Sequence, residues 1–144
     1  MKQIIKITLI SLLLISFMYS DSLAQRGRNR YKRIYNPATV ETVSGTVTEV
    51  DVIDFDPGTC YGGTHFKLNT GKETIIVHAG PTWFLNDNNF TILVNDNMEV
   101  KGSRVTYNGE QVIIAAYIKS GGKTLTLRSD DGTPLWSGQG RNRN

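Results

Sequence analysis

From Thr42 to Leu127 the chain is a series of short stretches of alternating apolar and polar residues, each closed by a pair of turn formers. No other feature constrains the fold as much. A two-residue period puts one set of side chains on one face of a strand and the other set on the opposite face. The turn signals are Asn69-Thr70-Gly71-Lys72, Gly80-Pro81, Asn108-Gly109, Gly121-Gly122 and Asp131-Gly132. Asn-Gly favours a type I′ hairpin, since both of its central residues need positive φ. No stretch carries a convincing helical period.

The first long strand, Thr42 to Ile53, contains a slip. Val43, Gly45 and Val47 share a face, and Val50 and Val52 resume the apolar set after a step of three. Such a slip predicts a β-bulge, which bends a strand and lets one sheet curl into a barrel. His65 to Asn69 and Glu73 to Ala79 form a hairpin, with Phe66 and Leu68 inward and His65 outward. On the returning strand Ile75 and Val77 share one face, and Thr74, Ile76 and His78 the other. Gly80-Pro81 stops that strand, and Thr82-Trp83-Phe84-Leu85 makes one helical turn. Met98 to Tyr107, Gln111 to Lys119 and Thr124 to Arg128 complete the set. The expectation is an all-β fold, a small OB-like β-barrel of five to six strands with a short helical turn after the third strand.

The two ends differ from this body. Lys2 and Lys6 precede an apolar run from Ile7 to Met18, and Ser22-Leu23-Ala24 follows with small residues. That order predicts a signal peptide over residues 1–24, and hence a periplasmic or secreted protein. Retention of the leader as an anchor is the alternative; once it is cleaved, no stable transmembrane segment is expected. Residues 25–39 and 138–144 read as basic disordered arms around a barrel domain at 40–137. The tails carry seven Lys or Arg, whereas Val40 to Ser137 holds seven basic and twelve acidic residues, a net of minus five. The arms suit an anionic surface. The acidic body argues against nucleic acid, which needs a basic groove lined by aromatics.

Little in the sequence points to catalysis. There is no GxSxG elbow, no GxxxxGK and no GxGxxG. The acidic residues Asp51, Asp54 and Asp56 lack the order of a calcium-binding hand. Cys60 has no partner cysteine for a disulfide and reads as a small, part-buried hydrophobe. Cys60, His65 and His78 make a zinc or copper site if the fold brings them together, although no close-spaced pair fixes such a geometry. Trp83, Phe84 and Leu85 are bulky enough to plug one end of a barrel, and Trp136 to cover the opposite one. Arg128 is placed to stack on Trp136 or to pair with Asp130 or Asp131. Read functionally, Trp83, Arg128 and Trp136 form a ligand-stacking platform at the rim.

Three segments together carry a resemblance. They are His78-Ala79-Gly80-Pro81-Thr82-Trp83-Phe84-Leu85, Val100-Lys101-Gly102-Ser103-Arg104-Val105, and Leu125-Thr126-Leu127-Arg128 with Gly132-Thr133-Pro134-Leu135-Trp136. The pattern resembles the exported β-barrel domain of magnetosome proteins of the MamS/MamX type, over about Thr42 to Ser137. The resemblance implies a small OB-like barrel outside the cytoplasm. Some relatives carry haem-attachment motifs and a redox role; this chain has no CxxCH, so covalent haem does not transfer. The functional expectation is a non-catalytic exported binding or scaffold module, without a cofactor, that contacts an envelope protein or a small ligand. The alternative is a metal-handling or redox accessory domain using Cys60, His65 and His78.

Overall fold

A computed structural model describes residues 34–54 and 62–139. The leader, most of the N-terminal arm, the loop containing Asp56 and Cys60, and the last five residues lie outside the described residues.

A 3-10 turn at Pro37–Thr39 leads into six strands and one helix: β1 (Val40–Asp54), β2 (Gly62–Asn69), β3 (Thr74–Pro81), α1 (Thr82–Asp87), β4 (Asn97–Tyr107), β5 (Glu110–Ser120) and β6 (Lys123–Thr126). The hydrogen-bonded order is β3-β2-β1-β4-β5-β6, and β3 also pairs with β5 in parallel. That last pairing closes five strands into a barrel and leaves β6 as an extension of β5. The fold is therefore all-β, with one short helix after the third strand, as the alternation and turn signals predict.

Parity places the core. Val47, Phe66, Leu68, Ile75, Val77, Val100, Ile113 and Ile118 point inward and are almost wholly buried. The predicted bulge exists: the β1–β2 register shifts between Val47 and Glu49, so Val50 returns to the core after the slip. Val52, the next residue of that apolar set, is 60% exposed. Gly45 is required where β1 meets the β2–β3 turn, because a Cβ there would lie 2.2 Å from the Asn69 carbonyl oxygen.

The two ends of the barrel are closed by different chemistry. At the end where β3 runs out, α1 drops Phe84 and Leu85 into the core. Toward the other end, Arg104 Nη2 lies 2.6 Å from both Glu41 and Glu73. Glu41 and Glu73 continue the inward rows of Val43 and Ile75, and β3 and β4 are not neighbours in the circuit. One guanidinium therefore ties together strands that backbone hydrogen bonds do not join.

A second, smaller apolar cluster sits outside the barrel wall. Tyr35 packs with Ile114 and Ala116, flanked by Ile34, Val40 and Val105. The Asn36 backbone N–H donates to Ser103 Oγ at 2.9 Å, and Thr39 Oγ1 lies 3.0 Å from the same hydroxyl. Residues 34–39, expected as part of a disordered arm, are thus docked on the barrel, because the apolar Ile34 and Tyr35 find a covered place on the outer face of β5.

Candidate functional site

Two clusters of chemistry-bearing side chains stand out. The first is at the helix end. Beyond β6 the chain turns back through an isolated bridge between Arg128 and Pro134, which carries Trp136 over the barrel. Arg128 is 3% exposed. Its Nη1 donates to the Ala79 carbonyl at 3.0 Å and to the Ala115 carbonyl, one on β3 and one on β5. The guanidinium lies 4.8 Å from the centre of the Trp136 ring. The expected stacking of Arg128 on Trp136 is therefore present. The expected position of Trp136 is not: its ring lies 5.3 Å from Phe84, at the helix end and not at the opposite opening. The indole fits there because Gly80 has no side chain; a Cβ on Gly80 would lie 2.6 Å from the ring. Trp83 is half-buried and meets Phe84 edge-on at 5.8 Å. Trp83, Arg128 and Trp136 do gather at one end, but Arg128 is turned inward to β-sheet carbonyls. The cluster acts as a latch that holds the C-terminal segment against the β3–β5 seam.

The second cluster lies on the outer face of β2 and β3. His65 and His78 are register partners across these strands, Asp51 lies opposite His65 on β1, and Ile114 lies beside His78 on β5. The two imidazoles are stacked, with centroids 3.8 Å apart and planes 4° from parallel. The Tyr107 ring meets His78 edge-on at 5.3 Å. Both histidines point away from the barrel interior, as their parity requires. Yet His65 is only 8% exposed and His78 only 5%. Burial pushes the His65 pKa down to about 4. Burial, then the nearby charges of His65 and Arg128, pushes His78 down to about 3. Both rings are neutral at pH 7.

Beside the pair lies a cleft of about 200 Å³. It is lined by Ile76 and Val112, by the two imidazoles and Tyr107, and by Asp51, Ile53, Lys67 and Glu110. Lys67 Nζ is 2.6 Å from Glu49, and this contact holds the Lys67 pKa up and the Glu49 pKa down. A larger groove of about 470 Å³ runs past Ser44, Asn97 and Lys119. Two of its polar groups are engaged from within the protein: Asn97 accepts from Thr46, and Glu99 from the Tyr117 hydroxyl.

The metal reading fares poorly on this geometry. The fold does bring His65 and His78 together, but face to face. An imidazole nitrogen binds a metal with a lone pair in the ring plane. Two parallel, stacked rings have no shared in-plane point where one ion could sit, so one ring would have to rotate out of its packed position. Cys60 lies outside the described residues, and among the described residues no group of three or more His, Cys, Asp or Glu is placed to hold an ion. These histidines do not fit a metal centre as they stand.

Sequence reasoning missed Tyr107, Ile76, Val112 and Glu110 as a unit. The signals for them were partial. Ile76 shares its face with His78 by parity, and Tyr107 immediately precedes the Asn108-Gly109 turn. What was not legible is that β5 lies beside β3 and so brings that hairpin against the histidines.

No curated protein matches the chain. One family model does match, over residues 39–125: the MamS/MamX magnetosome protein family. The match takes in the first two of the three resembling segments and ends before Arg128 and Trp136.

Proposed function

Since the chain belongs to the MamS/MamX magnetosome protein family, we propose that it is an exported, non-catalytic binding module, and that the cleft beside His65 and His78 is its binding site. The carrying observation is the cleft itself, where Ile76 and Val112, two stacked neutral rings and the charged residues Asp51, Lys67 and Glu110 line one space on the outer face of β2 and β3. OB-type barrels take their ligands on that face, between the loops after the first and fourth strands. Here the β4–β5 hairpin supplies Tyr107, Asn108 and Glu110 to one side. Apolar surface from Ile76 and Val112 bordered by polar and charged side chains suits recognition of one small group or side chain. The module contacts a small ligand or an envelope protein in the periplasm or outside the cell.

The non-catalytic part of the reading rests on how the polar groups are used. Ser103, a fully buried hydroxyl, is engaged by Asn36 and Thr39. The imidazoles lie flat on each other. Arg128 grips carbonyls. The metal-handling alternative is set aside on the stacked-ring geometry.

Amide chemical-shift mapping with a panel of small fragments, among them indole, phenol, benzamidine and monosaccharides, tests the site. Shifts should gather on His65, Ile76, His78, Tyr107 and Val112. A panel whose shifts gather instead on Trp83 and Trp136, or scatter over the surface, sinks the reading.

A further inference from the structure

Among the described residues the large apolar side chains that stand exposed are Val52, Ile53, Leu93, Val94 and Leu135. All but Leu135 belong to one stretch of β1 and the turn at its head. Val52 and Ile53 lie near the end of β1. Leu93 and Val94 lie in the turn before β4, where the Asp96 N–H donates to the Leu93 carbonyl. Two bonds tie that turn to β1: the Asn95 N–H donates to the Val47 carbonyl, and the Val47 N–H to the Asp96 carbonyl. Leu93 and Val94 therefore sit at the head of the stretch that runs on to Val52 and Ile53.

Strand pairing explains what those side chains surround. β4 covers one side of β1 from Val40 to Thr46, and β2 covers the other side from Thr46 to Asp54. Past Val47 the side that faced β4 has no strand partner among the described residues. Such an edge presents main-chain donors and acceptors that a further strand can use, and proteins blunt it with lysine, proline, bulges or short length. The β6 edge is blunted in this way. Only Lys123–Thr126 form that strand, and Lys123 Nζ donates to the Asn88 and Asn89 carbonyls at 2.8 and 2.6 Å. The β1 edge lacks these devices: Thr48 to Asp54 contains no lysine or proline. The bulge lies at its head, and from Glu49 to Asp54 the register with β2 is unbroken. At about 3.3 Å per residue that run extends roughly 20 Å, the length of an ordinary strand.

The two faces of the edge set what an added strand must carry. By parity Val50 and Val52 share the core face, and Glu49, Asp51 and Ile53 the outer one. On the outer face Glu49 is paired with Lys67, and Asp51 and Glu110 line the same space as that lysine. Three carboxylates against one ammonium leave this face net negative. A second copy of the same edge would bring acid towards acid, whereas basic side chains on that face are attracted. We infer that the edge of β1 from Glu49 to Asp54 is a docking edge for an extended segment of a partner protein. The segment joins the sheet as a further strand, with apolar residues over Val50 and Val52 alternating with basic residues beside Glu49 and Asp51. Main-chain hydrogen bonds hold such a segment, and the alternation selects it. The inference goes beyond the cleft reading, since it assigns a second surface, which meets the cleft at Asp51 and Ile53.

The experiment uses protein expressed from the full chain and purified as produced. The probes are two labelled peptides, one of lysine alternating with valine and one of glutamate alternating with valine. Affinity is read by fluorescence anisotropy, and position by amide shifts and amide hydrogen exchange. The lysine peptide should shift the amides of Glu49 to Asp54 and slow exchange along that edge. The glutamate peptide should bind at least tenfold more weakly. A Val52→Lys, Ile53→Lys variant, altered only at exposed side chains, should melt near the natural chain and bind the lysine peptide at least fivefold more weakly. Equal affinity for the two peptides overturns the basic partner. Shifts without slowed exchange overturn strand addition. Shifts confined to Ile76, His78 and Tyr107 put the peptide in the cleft, overturning the edge and leaving the cleft reading standing. A natural chain that sediments as a dimer, beside a monomeric variant, gives the edge to a second copy and overturns the partner. No binding of the lysine peptide overturns the docking edge outright. Edge binding beside a fragment panel that misses the cleft sinks the cleft reading alone.

Discussion

His65 and His78 are the residues whose protonation should matter most to stability. Their folded pKa values, about 4 and about 3, lie below the 6.5 of an unfolded histidine. The unfolded chain therefore takes up these protons first as pH falls, so stability drops from about pH 6.5 downward and levels off only near the folded values. Each tenfold difference in proton affinity between the folded and unfolded chain is worth about 1.4 kcal/mol. The charged or titratable groups facing the pair are Asp51, Lys67, Tyr107 and Glu110, with Arg128 acting on His78. Thermal melts at pH 7 and pH 4.5 should show a large fall for the natural chain and a much smaller one for a His65→Phe, His78→Phe variant. Equal falls in both would place the acid sensitivity elsewhere. Arg128 is the second sensitive residue. Arg128→Met keeps much of the stem but leaves the Ala79 and Ala115 carbonyls without its donors. The cost should be about 2–4 kcal/mol in denaturant unfolding, with a shift in Trp136 fluorescence as the indole loses its cation.

At the scale of elements, glycines allow the closest approaches. The Cβ of a Gly45→Ala variant has no place beside the Asn69 carbonyl. Moving the turn away would strain β1 where it bends, so a loss of roughly 1–3 kcal/mol is expected from denaturant curves. Gly80→Ala puts its Cβ against the Trp136 ring and also forces a side chain onto a backbone of positive φ. It should lift Trp136 off the β3 end, seen as a red-shifted emission together with a loss of stability in denaturant unfolding. The same reasoning shows which elements were legible. The β1 bulge followed from the step of three between Val47 and Val50, and α1 from Pro81 ahead of a bulky cluster. The docked turn at Pro37–Thr39 was not legible, because Arg33 and its basic neighbours dominate the composition and conceal Ile34 and Tyr35. The placing of Trp136 at the wrong end has a similar cause: nothing in Pro134-Leu135-Trp136 says in which direction the chain folds back after Arg128.

Across the whole molecule, closure is the decisive event. β3 and β5 pair over Ile76 to His78 and Val112 to Ile114. With that parallel seam come the core, the histidine cleft and the Arg128 latch. The Glu41–Arg104–Glu73 network spans strands that the seam leaves apart. Its side chains are 25–46% exposed, so solvent screens it and Arg104→Met should cost only about 1 kcal/mol. Raising the salt concentration should shrink the difference between that variant and the natural chain in parallel melts.

Sequence alone determined the strand set, the bulge, the hairpins and the inward faces, because each depends on neighbours two to four residues apart along the chain. It also revealed the contrast between a basic arm and an acidic body, which composition carries directly. Tertiary structure alone decided that His65 and His78 stack flat and do not converge edge-on, that Tyr107 joins them, and that Arg128 turns inward. Those outcomes depend on which strands become neighbours when the barrel closes, and the β3–β5 pairing joins segments more than thirty residues apart, with no local pattern to announce it.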